Sequence, residues 1–241
     1  MEWSLFVNNL PYLLVGAFPE GPLGGAALTL VLAVTSALAS ALLGVAGGIA
    51  LAMAGRITRV PLLLVIGFFR AIPVLMLIFW TFFLLPVVFH VNVPGLAAVV
   101  CALSLIGGAY LAHSVHAGIL AVGAGQWQAG LSLGLTRMQT LRHVLLPQAI
   151  RIMTPSFVNQ WVSLVKDTSL AYIVGVGDLS FVATQVNNRL MVYPVQIFLF
   201  VGFVYLVMCT ALDRIATYWL TRTARSTPAR VRAAAQPVAG E

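Results

Sequence analysis

Residues 26–54 read AALTLVLAVTSALASALLGVAGGIALAMA. The stretch carries no charge, and it exceeds the ~20 apolar residues that a helix needs to cross a bilayer. Arg56 and Arg59 follow at once, as at a cytoplasmic helix end. Within the run, Ser36, Ser40, Gly44 and Gly48 recur every four residues. Such a stripe of small side chains lets a second helix approach closely.

The rest of the chain extends this reading. Of 241 residues, 61% are apolar and 8% charged, with a mean hydropathy of +1.00. Soluble domains run near ~45–50% apolar and ~25% charged, so neither a soluble domain nor a disordered chain fits. The apolar runs are long and unbroken, which excludes the alternating strands of an outer-membrane barrel. Further spans are expected within 61–89, 95–113, 155–177 and 193–220. The expected fold is an all-α polytopic integral membrane protein of about five transmembrane helices. In the second span Arg70 and Pro73 interrupt the run. Either the membrane core begins near Ala71 or Arg70 is buried against protein. Residues 1–23 contain Pro11, Pro19 and Pro22 and are too interrupted to span. The expected organisation is a periplasmic segment over 1–23, a transmembrane domain over 24–222 and a disordered cytoplasmic tail over 223–241.

The charge is +7, from 12 Arg and one Lys against six acids. Arg56, Arg59, Arg137, Arg142, Arg151 and the Arg residues of the tail fall on one side of the five spans; Glu2, Glu20, Asp178 and Arg189 fall on the other. The positive-inside rule then places the N-terminus in the periplasm and the C-terminus in the cytoplasm. In a membrane protein this bias needs no nucleic acid. Cys101 and Cys209 lie in apolar stretches and form no disulfide framework. His113 and His116 share a helix face, but two ligands are too few for a metal. No G-x-S-x-G turn and no Walker A loop is present. Neither a catalytic centre nor a cofactor is expected, and ATP-driven transport would need a separate subunit.

The segment 114–153 is the longest polar region. GAGQWQAGLSLGL, 123–135, reads as a short helix closed by Gly134 in the left-handed conformation. Thr136 and Gln139 fit a capping box that opens a second helix. Met138, Leu141 and Leu145 would line one face of it, and Pro147 would end or kink it. This apolar stripe needs a cover, either a groove on a soluble partner or the chain's own helices.

Residues 125–147, GQWQAGLSLGLTRMQTLRHVLLP, resemble the cytoplasmic Glu-Ala-Ala loop of permease subunits of bacterial ABC importers. The pattern is carried by Gln128-Ala129-Gly130, Gly134 and the closing Leu145-Leu146-Pro147. FFRAIPVLMLIFW at 68–80, the run 145–179 and FVGFVYLV at 201–208 resemble the polar amino acid branch, most closely its glutamate/aspartate subunits. The resemblance covers roughly residues 25–222 and implies a type-1 ABC importer permease fold. It also implies a dimer of ATP-binding subunits docked on the loop, a second permease chain, the same or related, and a periplasmic amino-acid-binding protein. Gln128 stands where the family has an acid, and Gly130 where it usually has Ala.

The fourth span carries Asn159, Gln160, Ser163, Lys166 and Asp167. Charges in a span face the bundle interior or a cavity. Asn159, Ser163 and Lys166 fall on one helix face, overlapped by Gln160 and Asp167. With Arg70, this face is expected either to line the substrate path or to act in gating and subunit packing. The function expected is the membrane subunit of an ATP-driven importer of polar amino acids in the bacterial inner membrane. The alternative is an ion-coupled secondary transporter using Lys166 and Asp167.

Overall fold

A computed structural model describes residues 2–190 and 194–225. Eleven α-helices are formed over these residues, and no named strand. Helix α1, Glu2–Val15, is short and contains Pro11. Helix α2, Gly25–Met53, is the first long apolar span, and α6, Gly95–Ala121, packs along it. All four members of the small-residue stripe are buried. A Cβ added at Gly44 would lie 2.4 Å from the Cβ of Leu111, and one at Gly48 would lie 2.5 Å from that of Val115. The two backbones are as close as the absence of side chains permits. In a bilayer, where burying apolar surface brings little gain, such packing holds helices together.

Between them the chain breaks. Helix α3, Arg56–Ala71, ends at Ile72, which is extended because Pro73 follows. Helix α4, Val74–Phe79, leads through a π-turn at Trp80–Leu84 into α5, Leu85–Phe89. The two arms, Arg56–Ala71 and Val74–Phe89, meet at 101°. Buried Thr81 pins the π-turn by donating to the carbonyl of Ala98 on α6 at 3.1 Å.

After α6 come α7, Ala124–Ser132, and the four-residue α8, Arg137–Thr140. A second π-turn, Leu141–Leu145, joins α8 to α9, Leu146–Asp167. The helix then tightens into a 3₁₀ segment, Thr168–Val174. Helix α10, Leu179–Leu190, is short, and α11, Pro194–Arg225, is the last long span.

Two expectations need correction here. The third span does not stop near His113 but continues to Ala121. The fourth does not start at Pro155. Helix α9 starts at Leu146 directly after the π-turn, so Pro147 lies within a helical path continuous from Arg137 and does not end it. Pro155 is tolerated inside it, and the α-helix ends at Asp167. Among the described residues three helices, α2, α6 and α11, are long and apolar enough to cross a membrane, and the bent pair makes up to a fourth. Helix α9 is too polar to be counted that way, yet it packs against α6, α11 and α2 within the bundle. The expected disordered tail lies, from residue 226 on, outside the described residues.

Asp178 was expected in an outer loop and is instead fully buried. Its carboxylate caps α10, accepting from the N–H groups of Ser180 at 3.1 Å and Phe181 at 3.0 Å and from the Tyr205 hydroxyl at 3.3 Å. Beside it, Thr29 of α2 accepts from the Leu179 N–H at 3.0 Å. This polar knot ties the first turns of α2 and α10 to α11.

Candidate functional site

The hairpin of α7 and α8 is built from local rules. The N–H of Leu135 donates to the carbonyl of Gly130 at 3.2 Å, and that of Gly134 to Leu131 at 3.0 Å. With Gly134 at φ +81°, this is a Schellman closure of α7. Two residues after Gly134, Thr136 caps α8. Its hydroxyl accepts from the Gln139 N–H at 3.3 Å, and Gln139 Oε1 accepts from the Thr136 N–H at 2.8 Å. The backbone ends at the turn are thus capped by the turn's own residues.

The apolar stripe divides. Leu141 and Leu145 are buried with Val115, Ile119, Ala149 and Met153, so the chain's own helices cover them. Met138 is 53% exposed, contrary to its expected place in the same stripe. It precedes the π-turn, which shifts the helical phase between α8 and α9. Leu131 and Leu133 are also exposed, Leu133 to 82%. Gln128 and Ala129 are exposed and Gly130 is buried. Leu146 is half-buried and Pro147 exposed, both at the start of α9. The sequence reading missed Leu133 and Thr140. Leu133 was legible as the residue that ends α7 just before the glycine; Thr140, the neighbour that Gly130 packs on, left no sequence signal.

The polar face of α9 is the second candidate. Asn159 and Lys166 are exposed on this protomer, and Gln160, Ser163 and Asp167 are half-buried. Adjacent positions on a helix diverge, so Lys166 and Asp167 present different faces. Arg70 is exposed, not buried against protein. Its guanidinium lies 5.1 Å over the ring of Tyr110 on α6. The Tyr110 hydroxyl in turn donates to the Arg70 carbonyl at 3.2 Å. Arg70 is therefore held at the mouth of the 101° break, and it does not join the α9 face through Asp167. His113 is exposed and His116 buried.

The described residues thus form a bundle of apolar helices with one broken helix and a self-capped hairpin. The chain belongs to the family of binding-protein-dependent transport system inner membrane components, which matches residues 44–225. It is a multi-pass inner-membrane permease of the ABC importer class. It is 32% identical over 235 residues to the glutamate/aspartate import permease protein GltK of Escherichia coli, covering 92% of this chain and 98% of that one. It is also 32% identical over 219 residues to the L-cystine transport system permease protein TcyB of Bacillus subtilis, covering 87% of this chain and 93% of that one. Its fold is shared with a crystal structure of an amino acid ABC transporter with histidines, at a TM-score of 0.78 and 24% identity, over 92% of this chain and 99% of that one.

Proposed function

We propose that the chain is the membrane subunit of an ATP-driven importer of polar amino acids, with glutamate and aspartate as its cargo. The likeness to GltK along nearly its whole length supports this cargo. Two permease chains would form the pathway. Two ATP-binding subunits would dock on the hairpins and hydrolyse ATP, and a periplasmic binding protein would deliver the amino acid. The N-terminus lies in the periplasm and the C-terminus in the cytoplasm, following the Arg asymmetry.

The observation that carries the reading is the hairpin, a turn capped from both sides with Leu133 and Met138 exposed around it. Motion imposed there reaches α9 through the π-turn, and with it Asn159, Ser163, Lys166 and Asp167. The spans then shift as rigid bodies between two packed arrangements. Arg70, Gln160 and this face line or gate the path.

The test is uptake of labelled glutamate into proteoliposomes containing the permease, with and without its ATP-binding subunit. ATP-dependent uptake that requires the subunit is expected. Uptake that persists without the subunit and collapses with the membrane potential would replace this reading by an ion-coupled carrier. ATP-dependent uptake of cystine or glutamine but not of glutamate would keep the importer and change its cargo.

A further inference from the structure

The six acids of the chain are Glu2, Glu20, Asp167, Asp178, Asp213 and Glu241. From residue 21 to residue 166 there is therefore no carboxylate at all, and the hairpin lies within that stretch. Its exposed charges are cations, Arg137 at the start of α8 and Arg142 in the π-turn. The exposed large apolar residues of the hairpin, its apolar knob, are Leu131, Leu133 and Met138, and Arg137 and Arg142 bracket Met138 in sequence. No acid from the hairpin neutralises them, and Gln128, beside the knob, adds hydrogen bonding but no charge.

We infer that the ATP-binding subunit this hairpin accepts has an apolar groove with an acidic rim. The inference rests on the reading that such a subunit docks here, and it adds the chemistry that selects it. Exposed apolar residues beside charges of one sign are complementary to an apolar groove edged by the other sign. Charges at a rim govern encounter and choice of partner more than the strength of the final fit. A groove with a basic rim would meet Arg137 and Arg142 with like charge and be rejected.

Anionic lipid headgroups would also attract these cations, but the geometry favours a protein. The helix that begins at Arg137 continues through the π-turn into α9, and its last cation before the membrane run is Arg151. Roughly 20 Å of helix separates the two, at ~1.5 Å per residue. That is more than twice the ~8 Å over which salt screens a charge. The knob also lies at a turn, not along one helix face that could rest on a bilayer.

The test purifies the complete transporter in mild detergent and measures retention of the ATP-binding subunit on immobilised permease. NaCl is raised from about 50 mM to about 500 mM, which shortens the screening length severalfold. Retention is expected to fall roughly tenfold with salt, and Arg137→Glu with Arg142→Glu to weaken it about as much at low salt. Both substituted residues are exposed, and a monodisperse permease peak confirms folding. Retention indifferent to salt and to this double change, but abolished by Leu133→Ser, overturns the acidic rim and leaves the docking reading intact. Retention unchanged by all of these variants overturns both. If the double change spares retention but abolishes binding of the permease to phosphatidylglycerol vesicles, the cations face lipid and the inference fails.

Discussion

Gly130 lies against Thr140 across the hairpin so closely that a Cβ at 130 would stand 2.5 Å from the Thr140 methyl and 2.8 Å from its hydroxyl oxygen. The position where the resembling family carries Ala is thus filled here from the opposite arm. The Thr140 hydroxyl is itself buried without a hydrogen-bond partner. Gly130→Ala is expected to destabilise the hairpin by about 1–3 kcal/mol, the usual cost of overpacking. Adding Thr140→Ala removes both colliding atoms and the unsatisfied hydroxyl. The double variant should recover uptake that the single variant loses. Equal losses in single and double variants would show that the two arms are not in contact.

At Gly134 the limit is backbone conformation, since nothing lies within 4 Å of an added Cβ. A left-handed φ costs an ordinary L-residue about 1–2 kcal/mol, less for Asn and more for a β-branched residue. ATP-dependent uptake at equal membrane abundance should therefore fall in the order Gly, Asn, Ala, Val. If Gly134→Val transports normally, the hairpin does not couple through this turn.

Asp178 makes stability depend on pH. Burial pushes its carboxyl up from 3.8 to about 6, against the pull of the hydrogen bonds from Phe181, Ser180 and Tyr205. Between those values the folded state holds a proton that the unfolded state releases. The contribution of this group is therefore fully present below about pH 4 and is lost as the pH rises through about 6. Asn caps a helix about as well as Asp. Thermal unfolding in detergent should show Asp178→Asn flattening this fall and matching or exceeding wild type above pH 7. A variant that keeps the wild-type slope would assign the titration to another group.

Lys166 and Asp167 should respond differently to removal. Lys166 is exposed on the protomer and Asp167 half-buried. Lys166→Met should leave the yield of folded permease near wild type while changing the glutamate concentration for half-maximal uptake. Asp167→Leu should shift the yield, because a half-buried side chain bears on packing where an exposed one does not. Size-exclusion yield and uptake measured together separate the two roles. A wild-type concentration dependence in Lys166→Met would remove Lys166 from the path.

The legible parts of the fold are those set by neighbours in sequence. The left-handed Gly134, the Thr136–Gln139 cap and the buried Ser36–Gly48 stripe all follow from residues within a turn or two of each other. The illegible parts depend on distant partners. Nothing beside Asp178 in sequence announces that Thr29 and Tyr205 will enclose it. Tyr110, which holds Arg70, is forty residues away. Pro147 reads as a helix breaker, yet the helical path runs on past it through the π-turn at Leu141–Leu145. Lys166 was legible as a charge in a span. Its direction was not, since periodicity fixes a face without naming the neighbour that face will meet.

The π-turn at Leu141–Leu145 has a consequence for how such hairpins diverge. A π-turn amounts to one residue inserted into an α-helix. Deleting a single residue there would restore an unbroken helix and swing everything before it by roughly 100° about the helix axis. The membrane half would keep its sequence and packing while the hairpin looked toward another quadrant. The azimuth of the hairpin's exposed face is thus encoded by a length, one codon long, and not by the side chains that the face displays.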